Sequence, residues 1–318
     1  MSEPQLEEEA RAFDARIRER VAAGFIPDVR RAVKCEYFYK SFWRDPQFVD
    51  LYVTGGIRIM LEFLRTYAVA GARVLDAGCG TGYVGLELAR NGYRVKGIDI
   101  SVESVRVAGR MRDENPFVDG FGSLDYEVCE FLQAAGTYDV VLFSGVLHHL
   151  DDLARAVDQA RSLLAPDGLL ICREPCHRGW RQQDAAQVAL IRSLLSLVGM
   201  WYDEEEGRRI ARDEQSLAQS VAEILSEYVE ERDKAEAGQS PNDNSWDGDQ
   251  IVGALGRRFR QLEYRPGEAY MYRVLGGLRG DADRVAAVAD LLAMYDRFAV
   301  KHGYLKPNYF YYAGRALP

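Results

Sequence analysis

Asp76 closes a short apolar run, Val74-Leu75, and Gly78, Gly80 and Gly82 follow it at every second position. A carboxylate at the end of a buried strand, leading through glycines into a helix, puts a ligand at the carboxyl edge of a parallel sheet. Glycine lets the backbone turn sharply there and lets a ligand approach with no Cβ in the way. A dinucleotide-binding turn, Gly-x-Gly-x-x-Gly, would need its third glycine at position 83, which is tyrosine. That disfavours a pyrophosphate, and with it a nicotinamide-dependent reductase. A carboxylate at 76 would repel a diphosphate but suits an ammonium, as in an amino-acid moiety. Asp99 ends the next apolar run, at roughly the 20-residue interval from which an acidic side chain reaches ribose hydroxyls in such folds. Its structural alternative is to cap the helix that starts near Ser101.

Three of the four histidines, His148, His149 and His177, fall just after the fourth and fifth apolar runs, on the ligand side of such a sheet. Histidine titrates near neutrality, so one of them can serve as general base toward a hydroxyl or amine. We take His149 as the first candidate beside His148, with Glu174 and His177 on the substrate side. The alternative is that these rings pack against or cap the turn into Asp151-Asp152. Cys172 and Cys176 beside His177 lack a second ligand pair at zinc spacing, so no metal is expected. Pro175-Cys176 has the form of a pyrimidine-methylating nucleophile but stands on the wrong strand. Ser144-Gly145-Val146-Leu147 stands where enzymes that methylate base amines carry Asn/Asp-Pro-Pro-Tyr/Trp.

Short apolar runs alternate with amphipathic segments from residue 73 on, the signature of βαβ units around a parallel sheet. Strands are expected at 73–77, 93–98, 125–129, 140–143 and 169–173, with helices at 83–90, 102–112 and 153–164. Pro166-Asp167-Gly168 forms the turn into the fifth strand. Helical spacing also marks residues 5–33 and 57–67. Residues 177–256 read as a helical insertion, apolar-faced at 185–201 and charged at 204–237, with a polar linker at 239–249. The charge run 203–209 reads as a solvated face. Residues 257–318 return to strand at 259–275, helix at 282–299 and a last strand at 308–317, where Tyr309-Phe310-Tyr311-Tyr312 are taken as core. The expected parts are a helical lid (1–70), a Rossmann-like core (71–176), the insertion, and C-terminal strands completing the sheet.

Asp-x-Gly-x-Gly-x-Gly, an acidic strand end and Leu147-His148-His149-Leu150 together resemble class I S-adenosylmethionine-dependent methyltransferases, in particular the small-molecule branch. The match covers residues 73–175. The resemblance implies an α/β fold: a doubly wound, mostly parallel seven-stranded sheet with an antiparallel last strand. It implies S-adenosylmethionine as cofactor and S-adenosylhomocysteine as product. Asp76, Gly78, Gly80 and Gly82 would surround the methionyl part, Asp99 with Ile100 beside it the ribose, and Glu130-Phe131 the adenine. Glu130 stands where the family usually has aspartate. Ser144 would line the cofactor's middle, and the aromatic stretch Tyr37–Trp43, Tyr39 included, would form a lid over the methionyl group and the substrate.

Net charge of -9 makes a broad nucleic-acid surface unexpected. With 47% apolar and 28% charged residues the chain reads as globular, with no apolar run of the roughly 18 residues needed to span a membrane. Five scattered cysteines and an acidic, signal-free beginning point to the cytoplasm. The expected activity is methyl transfer to an oxygen, with nitrogen second, of a small metabolite, natural product or sugar. The alternative is a catalytically silent cofactor-binding sensor or assembly protein. The helical additions leave a homodimer open.

Overall fold

The structure is a computed structural model and describes residues 3–35, 41–229 and 246–317. Seven strands form the sheet: β1 (Arg73–Ala77), β2 (Arg94–Asp99), β3 (Ser123–Val128), β4 (Tyr138–Ser144), β5 (Leu164–Pro175), β6 (Phe259–Pro266) and β7 (Tyr309–Ala316). Their order is β3-β2-β1-β4-β5-β7-β6; β1 to β5 pair in parallel and β7 runs antiparallel to both neighbours. The main helices are α1 (Glu3–Ala22), α2 (Gly55–Tyr67), α3 (Tyr83–Arg90), α4 (Val102–Asp113), α5 (Leu153–Ser162), α6 (Gln182–Leu197), α7 (Glu214–Val229), α8 (Gly248–Leu255) and α9 (Ala282–Lys301).

Successive side chains of a strand go to opposite faces, and the central strands are apolar on both. Val74, Val140, Leu142, Leu169, Ile171, Tyr311 and Ala313 join one core layer. Leu75, Ala77, Val141, Phe143, Leu170, Cys172, Phe310 and Tyr312 join the other. The parallel strands therefore all end at one edge, where their following turns meet.

The chain departs from the expected elements at five places, each with a local cause. The first helix stops at Ala22, because Gly24 takes a left-handed φ of 87° and Pro27 follows. β5 begins at Leu164, which pairs with Tyr138; the ladder resumes at Val140 and Leu169, so Pro166-Asp167-Gly168 interrupts the strand rather than preceding it. Asp167 has φ 59°, and Pro166 has no N–H for a ladder. β6 stops at Pro266, and a short helix, Met271–Val274, replaces the expected strand end. Buried Asp296 of α9 accepts the N–H groups of Ala269, Tyr270 and Met271 at 2.9, 2.8 and 2.8 Å, which fixes that turn. The charged stretch breaks into Glu206–Ile210 and α7, and Glu206 is buried against the Trp201 indole rather than solvated. Residues 230–237 and 239–245 lie outside the described residues; within the expected linker, α8 already begins at Gly248.

Candidate active site

A cavity of about 780 Å³ opens where the carboxyl ends of β1, β2, β4 and β5 meet α1 and the helical insertion. Asp76 forms its floor. The carboxylate is 1% exposed, and Oδ2 has no hydrogen-bond partner among the described residues. Burial pushes its pKa up to about 7; the Gly85 backbone N–H pulls the other way and the charge of Asp99 adds to the rise. Asp99 Oδ2 accepts the Gly80 N–H and Oδ1 the Ser101 N–H, both at 2.8 Å. Burial raises this carboxylate too, and those two N–H bonds oppose it. Each oxygen keeps a lone pair for a further donor. The N-cap of α4 is Ser101, whose Oγ accepts the Ser104 N–H at 3.0 Å and donates to Asp14 at 2.6 Å. That bond docks α1 over the cleft.

The three glycines do different work. A Cβ on Gly80 would meet nothing within 4 Å, and its φ is +52°. One on Gly78 would come 2.6 Å from Val146, and one on Gly82 2.4 Å from the Tyr126 hydroxyl. Gly80 therefore keeps space open in the cleft, whereas Gly78 and Gly82 allow the turn to pack on its own neighbours.

The other half of the cavity is built on β4, β5 and β7. Glu174 is fully buried; Oε1 accepts the N–H groups of Val146 and Leu147 at 2.9 and 3.0 Å. Its Oε2 lies 2.8 Å from His148 Nδ1. A carboxylate taking two backbone N–H bonds accepts from the ring as well, so Nδ1 carries the proton and Nε2 is the basic nitrogen of neutral His148. His149 sits 3.5 Å from Glu9 of α1, with the Phe13 ring at 5.6 Å. His177 Nδ1 lies 2.6 Å from Asn308 Oδ1, which also accepts the Tyr272 hydroxyl at 2.8 Å. Arg173 donates to the hydroxyls of Tyr52 and Tyr311 at 2.6 and 3.2 Å, and Tyr52, Tyr272 and Tyr309 complete an aromatic wall.

A methyltransferase-domain family model matches residues 52–223 of this chain. The chain belongs to the class I S-adenosylmethionine-dependent methyltransferases. Over 138 residues the chain is 30% identical to the ubiquinone biosynthesis O-methyltransferase of Actinobacillus pleuropneumoniae serotype 5b, covering 40% of this chain and 57% of that protein. It spans little more than half the length of the curated relatives it matches. Its fold is shared with the [4+2]-cyclase SpnF (TM-score 0.54, 16% identity, covering 98% and 97% of the two chains). It is shared equally with geranyl diphosphate C-methyltransferase from Streptomyces coelicolor A3(2), solved with Mg2+, geranyl diphosphate and S-adenosylhomocysteine (TM-score 0.53, 15% identity, 99% of each chain).

Of the residues singled out in the sequence, Asp76, Gly78, Gly80, Asp99, Ile100, Glu130, Phe131, Ser144, His148, His149 and His177 line the cavity. Gly82 and Glu174 stand behind its wall. Phe131 packs edge-on against Phe143 at 5.0 Å, and Glu130 accepts from the Gln133 amide at 2.8 Å. Tyr39 lies outside the described residues; of the aromatic stretch, Phe42 and Trp43 reach the cavity. Tyr309 lines the cavity as well, while Phe310, Tyr311 and Tyr312 are buried. Sequence reasoning missed Arg173, Tyr52 and Tyr272. An arginine closing an otherwise apolar strand was the one signal available for Arg173. Among the described residues no group of three or more His, Cys, Asp and Glu side chains is arranged to hold a metal ion.

Proposed function

We propose that this methyltransferase binds S-adenosylmethionine over Asp76 and Asp99 and methylates an oxygen of a small metabolite, natural product or sugar in the cytoplasm, with nitrogen as the second acceptor. The observation that carries the reading is Asp76 Oδ2, a buried carboxylate oxygen with no hydrogen-bond partner among the described residues, on a side chain that lines the same cavity as Gly80. An ammonium there would satisfy it; a phosphate would not. The fit extends to Asp99, with lone pairs for ribose hydroxyls, and to Glu130 and Phe131 at the far wall. The name of the relatives, O-methyltransferase, favours an oxygen acceptor.

When bound, the cofactor supplies a methyl group on a sulfonium, open to in-line attack. The chain's own part is to hold the acceptor, exclude water beneath α1, and take the acceptor's proton. His148 fits the last role better than His149, because buried Glu174 fixes its tautomer and leaves Nε2 as base, an orienter-and-base pairing. His149 serves through Glu9 to hold α1. Glu174 and His177 act as a positioning group and a substrate-side contact, respectively.

Calorimetric titration tests the cofactor half. S-adenosylhomocysteine is expected to bind wild type, and Asp99→Ala to weaken it more than tenfold. An unchanged dissociation constant, or tighter binding of a nicotinamide dinucleotide, contradicts the reading. Two copies are expected to pair through the exposed stripes Leu190, Leu194 and Leu197 of α6 and Leu291, Met294 and Phe298 of α9. Light scattering should then give twice the chain mass of 35.9 kDa, and Leu194→Glu should halve it.

A further inference from the structure

Arg173 is a charged group in the acceptor half that methyl transfer by itself does not require. It leaves β5 on the opposite face from its neighbour Glu174, so it looks onto the tyrosine wall while Glu174 backs His148. The guanidinium carbon lies 4.2 Å from the Tyr309 ring centre and 4.9 Å from that of Tyr52. Nε is spent on the Tyr311 hydroxyl and Nη2 on that of Tyr52. Nη1 makes no hydrogen bond among the described residues, and the side chain, 14% exposed, forms part of the cavity wall. Glu268 stands 3.6 Å from Nη2 and balances the charge from outside the cavity lining.

We propose that Arg173 reads a carboxylate on the acceptor, and that the acceptor is a planar, unsaturated acid whose ring or conjugated chain lies against Tyr52, Tyr272 and Tyr309. The proposal rests on the methyl-transfer reading and names its substrate class. A guanidinium does not give up its proton, so N–H groups left facing an aromatic-walled cavity call for an acceptor, and an ionised one gives the shortest and strongest bond. A phosphate dianion fits less well at Arg173, because Glu268, 3.6 Å from Nη2, already offsets part of the guanidinium charge, and a single remaining charge matches a monoanion. Residues 173 and 174 point to opposite faces, so the acid end is held away from His148. A hydroxyl elsewhere on the acceptor meets the base.

The test uses the full-length protein, labelled S-adenosylmethionine and source-cell extract, and partitions the labelled product between ethyl acetate and buffer at pH 2 and pH 8. An apolar carboxylic acid moves into the solvent at pH 2 and stays in buffer at pH 8, which is the expected result. Label that extracts equally at both values marks a neutral acceptor or a methyl ester, and label that stays in buffer at both marks a phosphate ester or sugar; either overturns the proposal. With the purified acceptor, Arg173→Met is expected to raise KM at least tenfold and Arg173→Lys to regain part, while S-adenosylhomocysteine affinity, the check on folding, stays unchanged. An unchanged KM in Arg173→Met also overturns it. No labelled product from a protein that binds the cofactor removes the methyl-transfer reading and this proposal with it.

Discussion

Asp76 holds an unsatisfied carboxylate oxygen at 1% exposure, and leaving a buried acceptor unpaired costs about 1–3 kcal/mol. A bound ammonium removes that cost and favours the ionised form. The folded protein keeps a proton on Asp76 that the unfolded chain releases between pH 3.8 and about 7, so in the absence of ligand this group's contribution to stability falls as pH rises through that window. Cofactor affinity runs the other way: it should weaken by up to about tenfold per unit as pH drops below the Asp76 pKa, and Asp76→Asn should flatten that profile in calorimetry. A profile unchanged by Asp76→Asn would remove Asp76 from the ammonium site. At the base, His148→Ala should lower kcat by about 100-fold or more, and His149→Ala by less than about fivefold. Equal losses would mean that the pairing with Glu174 does not select the base. Asp76 and Asp99 were legible because each is a carboxylate ending an apolar strand. Glu174 was legible as polar but not in role, since its partners come from the turn 27 and 28 residues earlier.

At the level of elements, the turn from β1 into α3 is where local sequence and packing agree most closely. The expected bounds 73–77 and 83–90 are those observed, because glycines delimit the turn and both flanks are apolar. The glycines separate by experiment. Gly82→Ala must relieve a contact of 2.4 Å with Tyr126 at a φ of +80° and should cost about 2 kcal/mol or more in denaturant unfolding. Gly80→Ala should cost about 1–2 kcal/mol for its φ alone, and it puts a methyl into the cleft, weakening cofactor binding. If Gly82→Ala folds as stably as Gly80→Ala, the packing role is wrong. Elements whose ends depend on distant groups were the least legible. The 259–275 stretch turns helical because Asp296, about 25 residues later, caps it. α1 ends early at a glycine that helical periodicity does not register.

At the scale of the whole molecule, β7 inserted antiparallel between β5 and β6 brings Tyr309, Tyr311 and Asn308 beside Arg173 and His177, residues 131 to 138 positions away. That is why the β1 and β2 side of the cavity was legible in the sequence and the β5 and β7 side was not: local motifs build the first, and long-range strand pairing builds the second. Among the described residues no helix is long and apolar enough to cross a membrane. The fold leaves the chemistry open, since a [4+2]-cyclase shares it. Binding at 100 times its dissociation constant, S-adenosylhomocysteine should add about 2.7 kcal/mol and raise the melting temperature by several degrees. The most direct measurement is transfer of labelled methyl from S-adenosylmethionine into the small-molecule fraction of source-cell extract, by wild type and by a His148→Ala variant that still binds cofactor. Label in that fraction, strongly reduced in the variant, is the predicted result. Label in macromolecules, or none despite cofactor binding, would contradict it, and the second outcome would make the chain a silent binder.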